Sequence, residues 1–254
     1  MSGRILLGML TPSSNTILEP LCAEMLRCLP TVSAHFGRLR VTEISLEKAA
    51  LGQFAADTMF ETASLLADAR VQSLCWNGTS ASWLGFDRDR SLCASVAERL
   101  KIPMTSAVLA TEDIFRLTGV RRYGLVTPYL TDVQERIVAN FRAEGFECVA
   151  ERHLELRDNF SFSEVSGTTL KDMVRDVAQA RPQAITILCT NLAGAPLVEE
   201  LEEEIGISIY DSTAAALWGA LRLANAPTDL PGWGQLFRND MQAQAKMLRK
   251  GSRS

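Results

Sequence analysis

The chain repeats itself. GMLTPSSN at 8–15 returns as GLVTPYLT at 124–131, and SLCWNGTSAS at 73–82 returns as ILCTNLAGA at 187–195. Each copy offers an apolar strand, a Thr-Pro turn, and later a second strand running into a loop of small and polar residues. Two like halves facing each other put both sets of loops on one cleft. The copies differ where chemistry is concerned: the second presents Cys189 in its loop, while the first presents Gly78-Thr79-Ser80, with Cys75 three residues upstream of the glycine.

Between and beyond these motifs, short apolar runs alternate with helical patterns. Strands are expected near 4–11, 35–43, 71–77, 103–106, 121–127, 147–155, 184–189 and 207–210. Helices fit near 17–28, 54–69, 88–100, 108–118, 131–144, 168–180, 196–205 and 212–224, with Gly119 and Gly145 following helices and Pro103 and Pro182 abutting strands. Continuous apolar strands such as AITILC at 184–189 suit a parallel sheet covered on both faces. Strand–helix alternation means right-handed crossovers and a doubly wound sheet. The expected fold class is α/β: two pseudo-symmetric doubly wound, Rossmann- or flavodoxin-like parallel-sheet domains with the active site between them. Residues 1–110 plus 211–254 make the first domain, the helix after Asp211 crossing back, and 111–210 the second; 244–254 read as a frayed tail. In open α/β sheets ligands bind beyond the carboxyl ends of strands, so the paired loops mark the cleft.

Composition removes several function classes. With 254 residues and 47% hydrophobic content the core is ample. No run of about 18 apolar residues is present, so no membrane span or membrane partner is expected. The stretch after Met1-Ser2-Gly3-Arg4 meets Thr11-Pro12 without a small-residue cleavage site, so it reads as a first buried strand, and the expected location is the cytoplasm. Net charge is −4 with scattered Lys and Arg, which gives no nucleic-acid footprint. The six cysteines (22, 28, 75, 93, 148 and 189) form no CxxC pair, and the two histidines, His35 and His153, stand at no ligand spacing; neither a metal nor disulfides are expected. No GxSxG elbow supports a serine hydrolase, and no GxGxxG or GxxxxGK[ST] follows a strand, so no cofactor is expected. Nothing in the chain signals an oligomeric state.

The candidate residues carry two readings each. Cys189 precedes a helix opening at Pro196, where backbone N–H groups and a positive helix end are expected to lower a thiol's pKa; the alternative is a buried structural cysteine. Gly78-Thr79-Ser80 brings N–H and O–H donors together, as an oxyanion site needs, or makes a turn with a helix cap. Asn15 and Tyr129 are neutral donors for a carboxylate or enolate oxygen; Asn15 alternatively caps the helix near Ile17, and Tyr129 packs. His35 and Arg38 are candidates for a second carboxylate, against a plain surface arginine. Phe160 and Phe162 wall a pocket or cover core. Glu199, Glu200 and Glu202–Glu204 read as a solvated acidic face.

Assembled, these residues resemble the aspartate/glutamate racemase superfamily, in its maleate cis-trans isomerase and arylmalonate decarboxylase branch. The likeness runs through TPSSN (11–15), NGTSAS (77–82), GLVTPYLTDVQERI (124–137), Asp158-Asn159, LCTN (188–191) and GWGQLF (232–237). It implies two pseudo-symmetric α/β domains, a cofactor-free site between them, and a small carboxylic or dicarboxylic acid as substrate. Cys189 resembles the family's second-half cysteine, and Asn15, Tyr129 and Asn159 match carboxylate-binding positions of the maleate isomerases. The first-half cysteine falls on Gly78, as in the decarboxylases, where the following Thr and Ser help to hold a carboxylate. A second internal alignment superposes Cys75 on Cys189, since both lie in Leu-Cys-x-Asn; a place inside the strand, before Trp76, points Cys75 into packing instead.

One thiol cannot serve both faces of a carbon, as racemisation needs, but it can protonate a carbanion left by loss of carbon dioxide. The leading expectation is therefore a cofactor-independent decarboxylase of a substituted malonate. One carboxylate is held by Thr79, Ser80, Tyr129 and the Thr190 N–H, with Asn15 assisting, and Cys189 delivers the proton. The alternatives are maleate cis-trans isomerisation or an Asp/Glu-type racemisation, with Cys75 or a hydroxyl as second group, and a non-catalytic carboxylate-binding protein.

Overall fold

The computed structural model describes residues 3–47 and 56–238. The first copy comprises β1 (Ile5–Pro12), α1 (Leu18–Met25), β2 (Val32–Leu39), α2 (Ala56–Asp68), β3 (Ser73–Trp76), α3 (Ala81–Leu84), α4 (Phe86–Leu100), β4 (Met104–Ser106) and α5 (Ala107–Thr118). The second comprises β5 (Arg122–Thr127), α6 (Thr131–Ala143), β6 (Glu147–His153), α7 (Gly167–Ala178), β7 (Ala184–Ile187), α8 (Val198–Ile205), β8 (Ser208–Asp211) and α9 (Ser212–Leu223). The sheets have the same order, β2-β1-β3-β4 and β6-β5-β7-β8, and every pairing within them is parallel. Helices on both faces explain the unbroken apolar runs: β3 and β7 are buried at every residue. Residues 54–55 of the second expected helix and the tail 244–254 lie outside the described residues.

The repeated glycine of GMLTP and GLVTP has one physical cause in both halves. A Cβ on Gly8 would stand 2.6 Å from Leu74 Cδ2, and one on Gly124 would stand 2.2 Å from Val177 Cγ1. The central strands therefore run so close to their neighbours that no side chain fits.

The last helix of each copy is exchanged. α5 follows β4 but turns Phe115 toward Tyr123, Phe141, Phe146 and Tyr210 of the second half. α9 follows β8 but packs on β3, β4 and α5. Ser73 Oγ donates to Ala220 O at 2.8 Å, and Gly219 lies against Ala110 and Thr105. From Ser212 to Leu221 every residue of α9 is buried, which explains its nearly all-apolar sequence.

Two expectations are corrected by the fold. The strand expected at 35–43 is two pieces. β2 pairs with β1 from Val32↔Ile5 to Leu39↔Pro12, and the residues after it turn to the other half, where Ile44 N donates to Arg157 O and Glu43 bridges Asp158. The acidic run 199–204 is not simply a solvated face. Glu202 is 4% exposed and accepts from Ile209 N and Gln235 N, while Glu199 accepts from Gly234 N, so GWGQLF is stapled onto α8. Among the described residues no helix is long and apolar enough to cross a membrane.

Candidate active site

The strand register superposes the two loops without reference to their residue types. In the first sheet Gly8 pairs with Leu74, and in the second Gly124 pairs with Ile185. Counting four residues on from each partner pairs Gly78 with Cys189, and likewise Thr79 with Thr190. The hydrogen bonds agree, since Asn77 N donates to Leu10 O as Leu188 N donates to Val126 O, both at 2.9 Å. Cys75 instead matches Thr186 within the strand. It is fully buried, and the charged or ionisable groups that bear on it are Cys93, Cys22 and Asp89 of its own half.

Cys189 lies two residues beyond the end of β7, so the expected strand 184–189 stops short of it. It is 3% exposed. Burial pushes its thiol up to about 12; Tyr129 and the N–H groups of Asn191 and Leu192 act in the opposite sense, and the Asp211 carboxylate raises it further. The expected lowering by the helix end is thus reversed. The segment at 195–197 is a 3₁₀ turn, and α8 begins only at Val198, nine residues beyond the thiol. At neutral pH this sulfur carries its proton.

Across the junction, Thr79 Oγ1 and Tyr129 OH share a hydrogen bond of 2.6 Å. Tyr129 is held edge-on by Trp83, with ring centroids 5.2 Å apart, and by Phe162, at 5.6 Å. Burial and the neighbouring Cys189 raise its hydroxyl well above the usual phenol value, so it is a neutral donor. Ser80 Oγ accepts from Trp76 Nε1 at 3.4 Å, and neither Thr79 nor Ser80 caps α3 with its side chain.

The asparagines build the seam between the halves. Asn15 Oδ1 accepts from Ile17 and Leu18 N–H at the start of α1, while its Nδ2 donates to Thr190 O at 3.0 Å and Thr190 Oγ1 at 3.2 Å. Thr190 Oγ1 in turn donates a hydrogen bond to Asn77 O at 2.7 Å. Thr16 N donates to Asn191 Oδ1, Asn191 Nδ2 to Asn159 O at 2.6 Å, and Asn159 Nδ2 to Ser14 Oγ at 2.7 Å. Asn15 and Asn159 therefore hold the two loops to each other. Arg38 braces the same loop, donating to Ser13 O and Asn15 O and pairing with Glu19 at 2.8 Å, and His35 meets Ser33. Phe160 is 49% exposed beside Asn159, whereas Phe162 is core.

Four residues of this region escape a sequence reading. Asn191 stood inside the LCTN motif. Trp76 is marked only by its bulk two residues before a glycine. Asn77 Nδ2 donates to Leu10 O and Cys75 O, and its carbonyl accepts from Thr190 Oγ1. Asp211, ending β8, had a cap signal before Ser212: its Oδ1 accepts from Thr213 and Ala214 N–H, its Oδ2 has no partner, and burial raises it to about 7. Among the described residues no group of three or more His, Cys, Asp or Glu is placed to hold a metal ion.

A family model described as arylmalonate decarboxylase matches residues 38–237. The maleate isomerase of Nocardia farcinica is 29% identical over 249 residues, covering 94% of this chain and 98% of that protein. The arylmalonate decarboxylase of Bordetella bronchiseptica is 26% identical, covering 91% and 95%. A solved structure of the Nocardia farcinica maleate cis-trans isomerase, a cysteine-to-serine mutant with a covalently bound succinylcysteine intermediate, superposes with a TM-score of 0.87 at 26% identity, covering 94% of this chain and 100% of that one. By this match over most of its length the chain belongs to the arylmalonate decarboxylase family, a group of lyases and isomerases within the aspartate/glutamate racemase superfamily.

Proposed function

We propose that this enzyme decarboxylates a substituted malonate without a cofactor and protonates the product from one side. The observation that carries the proposal is the unequal pair at the equivalent loop positions: a protonated, buried thiol at Cys189 and no side chain at Gly78. Donors converge between them. In the Thr79–Tyr129 pair one proton is used internally and the other is available to a ligand, and Ser80, accepting from Trp76, keeps its own proton to give. With the Thr190 N–H these groups hold one carboxylate. The second carboxylate faces apolar residues, where an anion is destabilised relative to neutral carbon dioxide.

The bond to that second carboxylate breaks and carbon dioxide leaves. Its electron pair enters the retained carboxylate to give an enediolate, whose developing charge the same donors stabilise. Cys189 transfers its proton to the α-carbon, and the thiolate recovers one from water. A thiol near pKa 12 suits this role, since it is almost wholly protonated at neutral pH. Delivery from one side makes a single enantiomer. Asn15 and Asn159 are positioning residues, acting through Thr190 and Asn191.

Maleate cis-trans isomerisation is the second reading. It is favoured by the higher identity to the Nocardia farcinica isomerase, 29% against 26% for the decarboxylase, and by the asparagine seam. Proton NMR in deuterated buffer separates the two. Aryl- and alkylmalonates are expected to yield singly deuterated monoacids. Fumarate from maleate with inert malonates, or deuterium entering an amino-acid α-position, overturns the decarboxylase.

A further inference from the structure

We infer that Trp76 is the specificity-determining residue that restricts this site to one acid–base group. The chemistry of the inference rests on the decarboxylase reading, whereas its geometry does not. The loop equivalence puts position 78 where the second half carries its thiol. A Cβ built on Gly78 would stand 2.1 Å from Trp76 Cζ2, 2.4 Å from Cε2 and 2.9 Å from Cη2. The six-membered ring of the indole thus fills the space a side chain at 78 would enter.

The ring has nowhere to go. Trp76 is 0% exposed, its Nε1 is tied to Ser80 Oγ, and its backbone lies in β3 between Leu10 of β1 and Ser106 of β4. Close-packed interiors transmit such an overlap as strain and do not absorb it. In the second half the matching strand position is Ile187, a smaller side chain, and Cys189 has its Cβ and Sγ. Gly78 is therefore not simply a lost thiol. The indole two residues upstream forbids its return, and with it the removal of a proton from one face and its replacement on the other. The chain is confined to substrates that need a single proton delivered once.

The test is a double-variant cycle with two readouts. Gly78→Ala is expected to lower Tm by about 5 °C or more in the natural background, and by less than about 2 °C beside Trp76→Leu. If the leucine background does not fold, Trp76→Phe, which removes the larger ring system, takes its place. For catalysis, Gly78→Cys alone is expected to exchange no α-proton of a 2-arylpropionate in deuterated buffer. Trp76→Leu/Gly78→Cys is expected to wash deuterium into both enantiomers, one thiolate taking the proton and the opposing thiol returning a deuteron. Equal Tm losses in the two backgrounds, or exchange by Gly78→Cys alone, overturn the inference. Coupling in Tm without exchange by the double variant overturns its catalytic half. Failure of the decarboxylase reading shows separately, as natural enzyme that releases no carbon dioxide from any malonate while the Tm cycle still reports.

Discussion

The loops after β3 and β7 occupy the same place in two copies of one fold, yet one ends in an indole over a glycine and the other in a thiol. Their surroundings are alike to an instructive degree. Each half buries a carboxyl with one unpartnered oxygen, Asp89 and Asp211, and each carboxyl is raised by burial to about 7. Asp89 bears on Cys93 and Cys75, which are core, whereas Asp211 bears on Cys189, which is at the junction, and on Cys22 beneath it. A buried thiol beside a buried acid is thus a feature of both halves. What separates the two loops is where the sulfur lies along the strand: three residues before the matching position in the first half, beyond the strand in the second.

The largest test of that contrast is a pair of alanine variants. Cys189→Ala is expected to reduce decarboxylation by about 10³-fold or more, in line with loss of a positioned proton donor, and Cys75→Ala to leave it within about threefold. Comparable losses in both, followed by carbon dioxide release, would make the halves chemically equal and sink the single-thiol scheme. Next in size, Tyr129→Phe leaves Thr79 without its 2.6 Å partner and the enediolate without a donor; kcat is expected to fall about 10²-fold with a smaller change in KM. An effect confined to KM assigns Tyr129 to ground-state binding.

Asn191→Ala cuts the seam at Thr16 and Asn159 and is expected to cost about 2 kcal/mol, read as a lower Tm, because buried partners are left unmade. The smallest effect is electrostatic. Ionised Asp211 disfavours the Cys189 thiolate, so Asp211→Asn lowers the thiol pKa. The limb on which activity falls as pH rises and the thiol is lost then moves to lower pH, and iodoacetamide inactivation at pH 9 accelerates by about threefold to tenfold. The groups that bear on the sulfur are Tyr129, Asp211 and the N–H groups of Asn191 and Leu192. An unchanged profile would show that Asp211 acts only as the cap of α9.

Much of this was legible in the residues. The repeated Gly-x-x-Thr-Pro turn announced two like halves, and the short apolar runs announced covered parallel strands. Cys189, Thr79, Ser80 and Tyr129 could be named because loops after strand ends carry the groups that α/β sheets offer to ligands. Asn15 was legible as a helix cap and is one, but its second function, holding Thr190, joins residues 175 positions apart. The buried Glu202 hid in an acidic run, because burial belongs to the packed neighbour and not to the run.

By itself, then, the sequence determined the α/β class, the duplication and the loops where chemistry could sit, since these follow from local periodicity, turn residues and motif spacing. Only the tertiary structure decided three things. It decided that position 78, not 75, is the counterpart of 189, because register is set by hydrogen bonds between strands far apart in the chain. It decided what the helix after Asp211, already expected to cross back, packs against, namely β3, β4 and α5, because those contacts join residues far apart in the chain. And it raised the Cys189 thiol, because desolvation depends on everything packed around the sulfur and outweighs the N–H groups supplied by its neighbours in sequence.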